Sequence, residues 1–134
     1  MNIEMKKALI GLLFLLPVFC QSQALIGFSL YQIKAEHPDK IFTIDYTNSG
    51  TKYAKTEMST GTFVYYFDAS TGLSNYCILF PKDMGALNGL VETYNSKYVI
   101  TSETSWTAYL DGGGRMKITL EYDTDYELYV FHYE

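Results

Sequence analysis

Any chemistry in this chain must come from few residues: two histidines, His37 and His132, the thiol Cys77, and an acidic run of Asp123, Asp125 and Glu127. A thiol within hydrogen-bond reach of an imidazole makes a nucleophile with its base. Cys77 and His132 are a geometrically conceivable pair of this kind, because they fall in matching strands of the two halves described below. Neither flank resembles a thiol hydrolase, and Cys77 lies in the apolar stretch NYCILF, where an inert buried thiol is the ordinary state. His37 stands at a helix end, a place for a cap, and His132 lies in a strand two residues from Glu134. Asp123, Asp125 and Glu127 offer hard oxygens of the kind calcium takes. The EF-hand order of glycine at the sixth position and glutamate at the twelfth fails, however, and a solvated acidic hairpin accounts for them. Asp111 before Gly112, Gly113 and Gly114 is a turn signal. No nucleophile elbow, phosphate loop or HExxH motif occurs. The expectation is a protein that is not an enzyme and has no metal and no cofactor.

The elements that position these residues follow a leader. Lys6 and Lys7 precede an apolar run from Ala8 to Leu16, and small residues follow at signal-peptidase spacing, so residues 1–22 read as a secretory signal. The run is shorter than the ~20 residues a membrane span needs. Cleavage is expected after Ser22 or Ala24. Lipidation of Cys20 is disfavoured, because Phe19 is bulky where a lipoprotein site takes a small residue. The expected location is the periplasm, the cell surface or the medium.

Removing residues 1–22 leaves 8 basic and 14 acidic side chains, a net charge of −6 over 112 residues. That length fits one domain, residues 23–134. An acidic surface without a Lys/Arg cluster argues against nucleic acid and anionic lipid as partners. With Cys77 as the single cysteine after the leader, the domain holds together by its core, without an internal disulfide. The 13 tyrosines all follow the leader, and so much aromatic surface favours sheet.

Two segments read as short helices. Ser29 to His37 opens on a capping-box pattern, Ser29 with Gln32, and stops before Pro38. The second starts at Asp83 and carries Met84, Leu87, Leu90, Val91 and Tyr94 along one stripe. The chain also reads as two repeats, about 29–81 and 83–134. At an offset of 57, Leu30 matches Leu87 and Ile33 matches Leu90. After a shortening near Asn48, Ser49 and Gly50 the offset becomes 53, so that Tyr53 matches Trp106, and Phe63, Tyr65 and Phe67 match Met116, Ile118 and Leu120. Tyr76, Ile78 and Phe80 then match Tyr129, Phe131 and Tyr133. Each repeat is a helix followed by a β-meander. Together they predict an α+β two-layer domain, an antiparallel sheet with two short helices on one face.

The segments IKAEHPDKIF and LVETYNSKYV, followed by GTFVYYFD and GRMKITLEYD, give a pattern that resembles the tandem helix-then-meander domains of exported bacterial proteins, the PepSY-like family and the β-lactamase inhibitor protein fold. The inhibitor fold carries disulfides that this chain lacks. The resemblance implies binding, often of another protein, through the open sheet face.

Alternation assigns side chains to the two faces. Met116, Ile118, Leu120 and Tyr122 form the core set of GRMKITLEYD, and Phe63, Tyr65 and Phe67 match them. Val64 and Tyr66 then turn outward, as do Thr107 and Tyr109 beside inward Trp106, Ala108 and Leu110. The last strand is apolar on both sides. Tyr66, Tyr109, Tyr129 and Tyr133 are therefore the candidate binding residues of the open face, for a protein or peptide partner. A small-ligand or glycan-binding module, or an accessory subunit of an envelope assembly, are the alternatives.

Overall fold

The computed structural model describes residues 24–111 and 113–134; the expected signal and Cys20 lie outside them. The chain runs α1 (Leu30–Glu36), β1 (Phe42–Tyr46), β2 (Lys52–Met58), β3 (Gly61–Phe67), β4 (Ser74–Pro81), α2 (Met84–Lys97), β5 (Val99–Ser102), β6 (Ser105–Tyr109), β7 (Arg115–Asp123) and β8 (Leu128–Tyr133). The strands form one sheet of order β1-β2-β3-β4-β8-β7-β6-β5, and every neighbouring pair is antiparallel. The fold is thus α+β, as expected.

The helices start where their caps stand. The Gln32 N–H donates to the Ser29 hydroxyl at 3.2 Å and the Ser29 N–H donates to the Gln32 side chain at 2.9 Å, a closed capping box. α1 stops at Glu36, because the residue before Pro38 is kept from helical backbone, and His37 caps it. The Asp83 carboxylate accepts the Ala86 N–H at 2.7 Å to open α2. Leu87, Leu90 and Tyr94 are buried along one stripe of α2, whereas Met84, the first helical residue, is 62 % exposed.

A single apolar cluster unites Ile33 of α1 and Leu87, Leu90 and Tyr94 of α2 with Phe63, Tyr65, Trp106, Ile118, Phe131 and Tyr133 of the sheet, so both helices cover the same face. Burying each large side chain stabilises the fold by roughly 1.5–3 kcal/mol. Tyr94 stands edge-on to Trp106 at 5.7 Å and to Phe131 at 5.5 Å, contacts that each add about 0.5–1.5 kcal/mol beyond burial. Three of the polar tips around this cluster are paired: the Trp106 indole N–H donates to Asn95 Oδ1 at 2.9 Å, and the Tyr94 and Tyr133 hydroxyls meet at 2.6 Å.

The segment ahead of α1 belongs to the same core. Ala24 and Leu25 are buried, and the chain at Gly27 and Phe28 exchanges backbone hydrogen bonds with Ser74 at the start of β4. The β2–β3 turn requires glycine at 61, where φ is +149° and an added Cβ would lie 2.0 Å from the Phe80 carbonyl oxygen.

The structure corrects the match between the last strands. Cys77 lies opposite Tyr65, and Tyr133, rather than Val130, lies opposite Ile118. The β7–β8 hairpin is longer than β3–β4 by an odd number of residues, and an odd shift turns a strand over. Tyr76, Ile78 and Phe80 consequently point away from the helices, while Phe131 and Tyr133 point toward them. Tyr122, expected in the core, is 52 % exposed at the far end of β7, where it pairs with Tyr129.

Candidate functional site

The helix-free face is set by strand register. Tyr53 of β2 lies opposite Tyr66 of β3, and Tyr66 opposite Tyr76 of β4. One strand further, His132 of β8 lies opposite Ile78, diagonal to Tyr76. These four rings form a continuous row across the middle of the sheet: Tyr53 to Tyr66 is 5.9 Å, Tyr66 to Tyr76 is 5.8 Å and Tyr76 to His132 is 5.6 Å between centroids. Cross-strand pairs of this kind each contribute roughly 0.2–1 kcal/mol. Beside the row lie Val64 and Val130, both buried though outside the helix-side cluster, together with half-buried Ile78 and Phe80.

Polar contacts continue the row. The Tyr76 hydroxyl meets His132 Nδ1, and His132 Nε2 lies 3.4 Å from a Glu121 carboxylate oxygen. His132 thus stands between the Tyr76 hydroxyl and the Glu121 carboxylate. Burial, reinforced by Glu121 and Glu134, pushes the Tyr76 phenol up to about 12. Burial also raises Tyr66, with a smaller effect from Tyr126. Both phenols are therefore neutral hydroxyls near pH 7. Exposed Lys55 and Glu57 flank the face on β2, and exposed Lys117 and Glu121 flank it on β7. An apolar aromatic centre is thus bordered by exposed charges of both signs.

Among the four expected binding residues, Tyr66 sits in the row. Tyr109 is on the same face but apart from it, 65 % exposed on β6 opposite Arg115. Tyr133 is not on the open face: it is 1 % exposed beneath the helices, because β8 packs Phe131 and Tyr133 inward and leaves Val130 and His132 outward. Tyr129 shares the side of Tyr133 but lies near the hairpin end, 47 % exposed, with its ring 5.2 Å from that of Tyr122. Tyr53, Tyr76 and His132 were not among the binding residues expected from the sequence. β4 and β8 are apolar on both sides, so alternation alone does not orient them, and the odd hairpin length is visible only in the pairing.

The candidates for chemistry are dispersed. Cys77 is fully buried on the helix side, which raises its thiol well above the ordinary range, and His132 faces the other way, so the two form no nucleophile–base pair. His37 is buried at the end of α1, and burial lowers its imidazole below its ordinary value. The Asp123 carboxylate accepts the backbone N–H groups of Asp125 at 2.9 Å and Tyr126 at 3.1 Å, a turn-forming role. No group of three potential ligands is placed for a metal ion among the described residues. No described helix is long and apolar enough to cross a membrane.

The chain matches no protein-family model, no curated protein and no solved structure.

Proposed function

We propose that this chain is an exported, non-enzymatic interaction module that binds a protein or peptide across the open face of its sheet. The observation that carries the proposal is the row Tyr53–Tyr66–Tyr76–His132, four rings in contact on the one face that neither helix covers. Tyrosines bring large contact area with few rotors to freeze, and their neutral hydroxyls add hydrogen bonds at low entropic cost. The rings tilt against one another by 43° and 51° at under 6 Å, so much of each ring face is occupied by its neighbour. What remains outward is edges and hydroxyls, which suits a polypeptide better than the flat stacking a sugar ring requires. A glycan or small-ligand role on the same face is thereby the second reading.

The proposal includes the architecture of two helix-plus-meander halves joined at β4–β8, in the manner of PepSY-like and β-lactamase inhibitor protein domains. The mirrored strand order supports it, as does the pairing of Cys77 with Tyr133 at the seam. Its location outside the cytoplasm rests on the leader.

The test is capture from envelope extract and culture fluid, with Tyr66→Ala and Tyr109→Ala as controls and bound chains identified by mass spectrometry. A stoichiometric partner lost with Tyr66→Ala is the expected result. A thermal shift with a glycan and no captured chain would replace the proposal by the second reading.

A further inference from the structure

The end of the β7–β8 hairpin carries three exposed tyrosines. Tyr122 and Tyr129 are cross-strand partners, 52 % and 47 % exposed, and their rings meet edge-on at 5.2 Å. Tyr126 in the connecting turn is 65 % exposed, and its ring stands edge-on to Phe80 of the open face at 5.2 Å. The tip therefore shows tyrosine on both sides of the sheet, and on one side it is continuous with the face described above. No lysine or arginine occurs from Ile118 to Glu134.

The residues between these tyrosines decide what covers them. Asp123, Asp125 and Glu127 alternate with the rings, and none of them is ion-paired with a lysine or arginine among the described residues. A partner that covers Tyr122, Tyr126 and Tyr129 necessarily dehydrates these carboxylates. An apolar or acidic partner would leave the carboxylates of Asp125 and Glu127 dehydrated and without a cation, a cost of several kcal/mol per ion that ring contact does not offset. A partner carrying guanidinium or ammonium groups pairs the carboxylates and places its cations over the tyrosine rings in the same act. Arginine suits the site better than lysine, because its planar head stacks on a ring while donating to a carboxylate.

We propose that this hairpin tip is a docking surface for an arginine- or lysine-bearing segment of the partner protein. The proposal rests on the interaction-module reading and adds the charge of the partner. Docking at the tip is steered by the acidic surface and weakens with salt, whereas contact with the central tyrosine row is much less salt-sensitive.

The experiment measures binding of oligo-arginine, oligo-lysine and an uncharged oligo-asparagine peptide of equal length to the protein as exported, by fluorescence anisotropy at low and physiological salt. Tyr122→Ala/Tyr129→Ala and Asp125→Asn/Glu127→Gln are the tip variants, and Asp45→Asn/Glu103→Gln removes two exposed carboxylates elsewhere. The expected result is arginine tighter than lysine, no binding of oligo-asparagine, and about tenfold weaker arginine binding for each tip variant, with the Asp45/Glu103 variant unchanged. Equal weakening in all three variants would reduce the effect to diffuse charge and overturn the proposal. So would absence of arginine binding at low salt, or self-association that the tip variants abolish, which would assign the tip to a second copy. Failure of the interaction-module reading is distinguishable, since it shows as partner capture that survives Tyr66→Ala whatever the peptides do.

Discussion

The two faces of the sheet at β8 carry aromatic clusters of similar make-up and different fate. On the helix side Phe131 and Tyr133 join Tyr94 and Trp106, with every ring sealed and the Tyr94 and Tyr133 hydroxyls bonded to each other. On the open side His132 joins Tyr76, Tyr66 and Tyr53, and its polar contacts lead outward to Glu121, which is 61 % exposed in its side chain. One cluster spends its polar groups on itself, and the other leaves edges, hydroxyls and a carboxylate at the surface. Aromatic content alone therefore does not separate core from contact surface in this protein; where the helices lie does. The sealed cluster carries stability, and the open one is available for recognition.

Substitutions sharpen that comparison, beginning with the strongest. Phe131→Ala leaves a cavity between α2 and the sheet and is expected to cost roughly 3–5 kcal/mol in urea unfolding. A loss no larger than that of Tyr66→Ala, expected at about 1 kcal/mol, would erase the distinction between the faces. Tyr133→Phe removes one hydroxyl of a buried pair and strands that of Tyr94, a loss of about 1–3 kcal/mol by the same assay. On the open face Tyr76→Phe is expected to cost less, because water replaces the lost partner at half-exposed His132. Ser29→Ala opens the capping box of α1 at about 1 kcal/mol and leaves partner capture unchanged, since α1 is on the covered side.

The smallest effect is one of pH. Burial lowers the His37 imidazole below its ordinary value of 6.5, so the folded state holds the neutral form while the unfolded chain takes up a proton first. The stability His37 contributes is therefore fully present above pH 6.5 and is lost as the pH falls through its lower folded value. His37→Gln removes this dependence. The slope of unfolding free energy between pH 7 and pH 5 should be shallower in the variant, and an unchanged slope would show that His37 is not its source.

Much of the fold was legible from particular residues. Ser29 with Gln32, Pro38 and Asp83 fixed both helix starts and the end of the first, because caps act locally. The turns near Asn48 and at Asp111, and the inward sets of β3, β6 and, up to Leu120, β7, followed from turn chemistry and alternation. The site was less legible. Tyr66 was placed correctly by its alternation with Tyr65, whereas Tyr133 was not, because LYVFHY is apolar on both sides and only its pairing with Ile118 orients it. Tyr76 and His132 escaped for the same reason: their partnership spans β4 and β8, strands far apart in sequence that meet only when the two sets of strands join. Tyr122 and Tyr129 share the side of Leu120 and Phe131 yet are 52 % and 47 % exposed, a fact of packing that local pattern does not carry.

The central claim is that recognition belongs to the helix-free face. It is tested most directly by comparing partner capture by Tyr66→Ala with capture by Tyr31→Ala, whose tyrosine lies on α1 and is 83 % exposed. Both variants should remain folded by circular dichroism. Loss of a stoichiometric partner in Tyr66→Ala with full retention in Tyr31→Ala is the predicted result; retention in Tyr66→Ala, or loss in Tyr31→Ala alone, would contradict it.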